Sequence, residues 1–232
     1  MTCFTSRRLA DTTVNDTGMK RILLHSICDG ISPLCLSMAR LRYLAQRGAS
    51  CALSFDDGYA DIYDALSDAR PELLKRTTVF LVAERIGGRN DWDRSGPLAG
   101  RRLLDWRQIA ELRRRGVAIG SHGLTHVDLT ACGDRQLDAE LRRSKELLEQ
   151  RLGDAIEGFS YPYGAFDRRV MAAVAASYRW AVTARHSLRD DGPYQIPRIG
   201  FSGRNPEWLF RLKASNLWLY DLKALIAPLQ PS

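Results

Sequence analysis

Two neighbouring carboxylates and two closely spaced imidazoles are the residues of this chain best placed to do chemistry. Asp56 and Asp57 lie in Ser54-Phe55-Asp56-Asp57-Gly58, and His122 and His126 in Ser121-His122-Gly123-Leu124-Thr125-His126. Adjacent carboxylates behind a hydrophobic residue repel each other, and burying them without a cation is costly. A divalent metal on one of them would relieve the repulsion and leave the other free as a base. Read alone, Asp-Asp-Gly is also ordinary turn chemistry, with Asp capping a helix. The histidines are four residues apart, so one helical turn would put both on one face, a spacing that suits two ligands of one metal. The chain has only 4 His, and half of them fall in this pentapeptide. One carboxylate with two imidazoles leaves coordination positions open for water and substrate, as a catalytic site requires and a closed structural site does not. Zinc suits that donor set, and other first-row metals bind the same ligands. A third segment, Tyr161-Pro162-Tyr163-Gly164, is a rigid turn in which proline fixes φ and glycine permits close backbone approach. It either aims the Tyr163 backbone N–H at a reacting oxygen or packs its rings as an ordinary turn.

Each of these segments follows a run that reads as a β-strand. Strands are expected over residues 22–25, 51–55, 77–82, 117–120, 156–160, 180–183 and 197–201. Helices are expected over 34–46, 61–69, 106–115, 136–152, 166–177 and about 205–227. The helix over 136–152 carries an apolar stripe of Leu137, Leu141, Leu148 and Leu152, with Asp134 as its expected N-cap and Gly153 as its C-cap. Strand–helix alternation implies an α/β protein with parallel strands and crossover helices. About seven strands fit an irregular barrel or an open sheet. In parallel α/β folds the carboxyl ends of the strands face the active site, so all three segments are expected on one face. Residues 87–100, rich in Gly, Asp, Asn and Pro, read as an irregular insert.

In this order and spacing, Ser54-Phe55-Asp56-Asp57-Gly58, His122-x3-His126 and Tyr161-Pro162-Tyr163-Gly164 resemble the motifs of the polysaccharide deacetylases, the NodB-homology family (carbohydrate esterase family 4). The resemblance covers about residues 22–201. It implies a distorted (β/α) barrel with about seven parallel strands and a metal-dependent hydrolase acting on an acetylated saccharide. By the motifs, Asp57, His122 and His126 would bind the metal and Asp56 would be the catalytic base. The Tyr163 amide would stabilise the oxyanion, with Tyr161 and Pro162 in the same substrate wall. Two positions depart from the family pattern. The third motif often begins with an Arg that orients the catalytic Asp, and the matching residue here is Ser160. Arg198 would supply that guanidinium from a neighbouring strand, or it is a structural Arg. The family's late motif offers a His as general acid, and no His follows His186. His186 is then the acid or an exposed loop residue. His25 ends the first strand and either lines the same mouth or is a satisfied structural His.

Composition narrows the alternatives. The chain has 232 residues, 45% hydrophobic and 26% charged, which fits a globular domain and excludes disorder, collagen or coiled coil for the whole. Residues 1–20 read as a flexible lead-in to a single catalytic domain over 21–232. The net charge is +7, but the basic residues are scattered and no nucleic-acid motif is present, so a solvated surface is expected and no nucleic acid as partner. The charge would also suit a lipid-linked or anionic saccharide. No apolar run approaches the roughly 20 residues of a membrane span, and no apolar segment of signal-peptide type follows Arg8. The 5 Cys, at positions 3, 28, 35, 51 and 132, form no C-x-x-C pair and read as reduced. Together these features lead to an expected location in the cytoplasm, peripheral to the inner membrane. The departures at Ser160 and His186 keep open a catalytically silent saccharide-binding module. The two-His, one-carboxylate set alone would also suit a non-haem iron oxygenase.

Overall fold

The computed structural model describes residues 20–28, 32–46, 51–185 and 192–215. His186, residues 1–19 of the expected lead-in and residues 216–227 of the expected terminal helix lie outside the described residues. Nine strands are described: β1 (Lys20–Leu24), β2 (Ser26–Ile27), β3 (Cys35–Leu36), β4 (Cys51–Phe55), β5 (Thr77–Leu81), β6 (Ala118–Ser121), β7 (Gly158–Ser160), β8 (Trp180–Val182) and β9 (Ile199–Gly200). The helices are α1 (Met38–Gln46), α2 (Asp61–Ser67), α3 (Pro71–Leu74), α4 (Trp106–Arg114), α5 (Asp134–Leu152), α6 (Arg168–Ser177) and α7 (Glu207–Ala214).

Seven strands form one parallel sheet in the order β8-β7-β6-β5-β4-β1-β9. The central strands read Cys-Ala-Leu-Ser-Phe and Thr-Thr-Val-Phe-Leu and are buried at every residue. A sheet covered on both faces selects such continuous runs over alternating ones. Ile196 makes a parallel bridge to Val182 at one edge, and three residues later Ile199 pairs with Ile22 at the other. One stretch of chain thus touches both edges and curls the sheet into a distorted barrel. Side chains are tightly layered inside. A Cβ on Gly158 would lie 2.3 Å from the Trp180 ring, so only glycine fits there.

Four details differ from the sequence expectation. Residues 35–36 pair with β2 in a second, two-stranded sheet, and the first helix starts at Met38. Cys28 and Cys35 form a disulfide with Cα atoms 5.6 Å apart, so the cysteines are not all reduced and no longer argue for a reducing compartment. Gly133, not Asp134, is the N-cap of α5; Asp134 sits in the first turn, where its charge faces the helix dipole. Gly153 closes the same helix at φ 66°, the left-handed conformation that glycine adopts at least cost. The segment from His122 to His126 is a bend and not a helical turn, because Gly123 (φ 84°) and His126 (φ 66°) both take the left-handed region.

Candidate functional site

The site collects at the carboxyl ends of β1, β4, β6 and β7. The Asp56 N–H donates to the Leu24 carbonyl at 3.0 Å, extending the β1–β4 ladder by one residue. Asp57 then turns to φ 69°, which sends the two carboxylates in different directions. Asp57, His126 and Tyr163 are the only non-glycine residues at positive φ among the described residues. Such backbone costs of order 1–3 kcal/mol per residue and persists only where the surroundings enforce it.

Asp57 Oδ1 lies 3.2 Å from His122 Nε2 and 3.1 Å from His126 Nε2. The His122 Nδ1 is 2.7 Å from the Ser160 carbonyl, so it carries a proton and donates it. That leaves the neutral ring's Nε2 lone pair facing a carboxylate oxygen, a repulsive contact unless a cation lies between them. Asp57 Oδ1 is buried with no hydrogen-bond donor among the described residues. Burial opposes a charged His122, yet the Asp56 and Asp57 carboxylates outweigh it and raise its pKa. Burial also pushes the Asp57 carboxyl up, but the two histidines hold it well below the usual carboxylate range. The pocket therefore favours positive charge, and its three donor atoms lie within 4.8 Å of one another. Two imidazole nitrogens and a carboxylate oxygen fit a divalent cation with positions left open.

Asp56 faces the other way. The Arg198 Nη1 and Nη2 donate to its Oδ1 and Oδ2 at 2.7 Å each, and the Ser160 hydroxyl donates to Oδ2 at 3.0 Å. Arg198 is itself fixed by Ser54 Oγ (3.0 Å), Ser160 Oγ (2.9 Å) and the Thr183 carbonyl (3.0 Å), and it lies over the Phe80 ring. The small residue at 160 leaves room for this guanidinium. Burial raises the Asp56 pKa, and Arg198 and then His122 more than offset it, so the carboxyl titrates below its ordinary range.

The other candidates divide. His25 is half-buried just past β1, close enough for its imidazole to help lower the pKa of both carboxylates. Tyr163 is 57% exposed, with its ring edge against His126 at 4.6 Å. Tyr161 does not face the cleft. Its ring is buried against Phe159 and Phe166, and its hydroxyl donates to the Tyr194 carbonyl. Pro162 is buried beside Gly123 and braces the histidine bend.

Two contributors escaped the sequence reading. Glu140 of α5 is buried, and its carboxylate accepts the Leu124 N–H (2.8 Å), the Thr125 N–H (3.0 Å) and the Thr125 hydroxyl, so it holds the bend between the histidines. Its signal was an acidic residue three positions after Leu137 on the stripe of the helix. Trp92, in the 87–100 excursion, stacks on His126 with centroids 4.6 Å apart. With Arg85, Asp91, Thr125, His126, Val127, Asp128 and Tyr163 it lines an open cleft of about 680 Å³.

Comparison with known proteins agrees with this geometry. The family model for polysaccharide deacetylases matches residues 45–180. The Bacillus subtilis (strain 168) protein YxkH, whose name places it among the polysaccharide deacetylases, is 29% identical over 156 residues, covering 65% of this chain and 50% of its own. The chain thus spans about half the length of that curated relative. Among solved structures, the polysaccharide deacetylase BC0361 from Bacillus cereus superposes with TM-score 0.68 at 20% identity, over 85% of this chain and 69% of its own. IcaB from Ammonifex degensii does so with TM-score 0.63 at 20% identity, over 85% and 95%. These structural likenesses show a shared fold, and with more than half of its length matched by the family model, the chain belongs to the polysaccharide deacetylase family.

Proposed function

We propose that the protein is a metal-dependent hydrolase that removes the N-acetyl group from a poly-, oligo- or lipid-linked saccharide. The reading rests on the convergence of Asp57, His122 and His126 beside an Asp56 held by Arg198. Asp57 Oδ1, His122 Nε2 and His126 Nε2 would hold a divalent cation, and zinc suits the set. When bound, such a cation supplies Lewis-acid activation of water and of the acetyl carbonyl. Asp56 is the general base. Three of its four lone-pair positions are taken by Arg198 and Ser160, and the remaining one, on Oδ1, has no donor among the described residues and is assigned to the proton of the attacking water. Arg198 keeps that carboxylate ionised and oriented. The Tyr163 backbone N–H, presented by a left-handed residue, is assigned to the oxyanion. The leaving amine takes a proton from a general acid, a role assigned to His186.

The silent-module alternative drew on two departures, the missing Arg of the third motif and the missing late His; the Arg198–Asp56 pair supplies an equivalent guanidinium, and His186, which bears on the second, lies outside the described residues. The deciding experiment is acetate release from N-acetylated oligosaccharides, with and without chelator. Release that depends on metal and is lost in Asp56→Asn supports the reading; release that survives both treatments ends it.

A further inference from the structure

His122 and His126 converge on one carboxylate oxygen but are held by different means. His122 has its Nδ1 on the Ser160 carbonyl at 2.7 Å. His126 has its Nδ1 buried with no hydrogen-bond partner among the described residues. A metal-ligating His almost always donates its second ring N–H to an acceptor, which fixes tautomer and orientation. Without that bond the ring's terminal torsion is broad and roughly two-fold. Here two aromatic rings take its place. The Trp92 indole stacks on the imidazole at 4.6 Å and 29°, and the Tyr163 ring meets it edge-on at 4.6 Å and 68°.

Trp92 is not a loose loop residue. Asn90, 2% exposed, donates through its side-chain amide to the Tyr59 hydroxyl (2.7 Å) and the Asp93 carboxylate (2.8 Å), and its side-chain oxygen accepts the Asp93 N–H (3.0 Å). The Asn90 backbone donates to the Arg101 carbonyl and accepts from the Gly100 N–H, both at 2.8 Å. Tyr59 is fully buried two residues after Asp57, and burial with the nearby Asp57 charge keeps its hydroxyl protonated. Trp92 also packs against the apolar cluster of Cys35, Tyr59, Leu98 and Leu103. The irregular excursion is therefore anchored beside one proposed ligand and lays its indole over another.

We propose that Trp92 is a positioning residue that holds the His126 imidazole by stacking, in place of the outer hydrogen bond that His122 has. Stacked aromatic pairs gain beyond their buried area, and an indole face also attracts an imidazole made more positive by a bound cation. The stack thus strengthens when His126 Nε2 engages a cation. The inference rests on the metal-site reading above.

The test measures zinc alone, without substrate, by competition between metal-free protein and a chromophoric chelator. Trp92→Ala is expected to weaken zinc binding about 10–100-fold, the usual loss when an outer partner of a ligand is removed. Trp92→Phe, which keeps a stacking ring, is expected to stay within about threefold of the parent. Thermal unfolding of the metal-free variants checks that they fold. Fluorescence provides a second readout that does not need the alanine variant. Of the 5 Trp in the chain, Trp92 alone is stacked on His126 among the described residues. Zinc should therefore change the emission of the parent by a saturable component that Trp92→Phe lacks. Parent-like zinc affinity in folded Trp92→Ala, or the same emission change in Trp92→Phe, overturns the proposal; a raised KM with unchanged zinc affinity would make Trp92 a sugar contact instead. A parent that binds no zinc overturns the metal reading itself, and this inference with it.

Discussion

Arg198 reaches Asp56 from the seam where the curled sheet meets itself, and its two terminal nitrogens hold the two carboxylate oxygens at 2.7 Å each. Both side chains are almost fully buried. Removing one member of such a pair leaves an uncompensated charge and costs about 3–5 kcal/mol, whereas replacing both is far less disruptive. Arg198→Met is therefore expected to lower the urea-unfolding free energy by roughly that amount. Adding Asp56→Asn should recover most of the stability but no acetate release. Arg198→Lys keeps the charge and loses the fork, so it should fold and turn over more slowly. A double variant no more stable than Arg198→Met alone would mean that the pair is not what the single change breaks.

The same pair sets a pH dependence. Burial pushes the Asp56 carboxyl up, but Arg198 and His122 hold it below its ordinary value. A carboxyl depressed in the folded state contributes stability that is present above the unfolded value of about 3.9 and lost as pH falls through the folded value. The unfolding free energy of the metal-free parent relative to the Arg198→Met/Asp56→Asn protein, whatever its size at neutral pH, should therefore hold steady down to pH 5 and fall below about pH 4. The check is urea unfolding of both proteins at each pH, and a difference unchanged at pH 3 would contradict it.

Glu140 makes a separable prediction, because it touches no proposed ligand directly. It accepts two backbone N–H groups from the bend between His122 and His126. Glu140→Ala leaves both without an acceptor and should cost about 2–4 kcal/mol, with weaker zinc binding from a looser bend. Glu140→Gln keeps an acceptor oxygen and should fall between. Unfolding and chelator competition on the same samples give the two numbers, and a variant that loses stability but not zinc affinity would confine Glu140 to the fold.

Gly158 tests the packing beneath the site. Its absent Cβ would lie 2.3 Å from the Trp180 ring. Gly158→Ala is expected to destabilise by about 1–3 kcal/mol through overpacking, and Trp180→Phe in the same chain should recover part of it, since contacting positions are not additive. A neutral Gly158→Ala in thermal unfolding would show that the indole has room to shift.

How much could be read from the sequence depended on range. The strands read well: β4 was expected at 51–55 and lies at Cys51–Phe55, because a run buried on both faces and closed by Asp-Asp-Gly has few other uses. The three chemistry-bearing segments were expected on one face because parallel connectivity forces strand ends together. The histidine spacing was read as a helical turn, since spacing cannot show that His126 would take φ 66°. Arg198 was a candidate to supply the guanidinium because the family resemblance left a gap at Ser160; local patterns alone would not show that residues 142 positions apart meet at a barrel seam. Trp92 sat in a stretch whose Gly and Asp content reads as a loop, and nothing local shows that bonds such as Asn90–Tyr59 anchor it. The Cys28–Cys35 bridge was missed because an odd count without C-x-x-C argues for thiols, while proximity across β2 and β3 decides otherwise.

Metal removal bears on the whole site at once. Asp57 Oδ1 lies 3.1–3.2 Å from each of the two Nε2 atoms, so without a cation the folded state carries their repulsion or must take up a proton on a histidine. A ligand that binds only the folded protein stabilises it by RT ln(1 + [L]/Kd), about 2.7 kcal/mol at 100 times Kd. For a chain of this size each kcal/mol moves the midpoint by about 2–4 °C. Zinc at that excess should therefore raise Tm by roughly 5–10 °C over chelated protein, and acetate release should be lost with the chelator and return with zinc. His122→Ala removes one of the three donors, so both the Tm rise and the rescue of activity should fall away together. A Tm rise that persisted undiminished in His122→Ala would place the cation outside Asp57, His122 and His126, the one group of three potential ligands that gathers among the described residues.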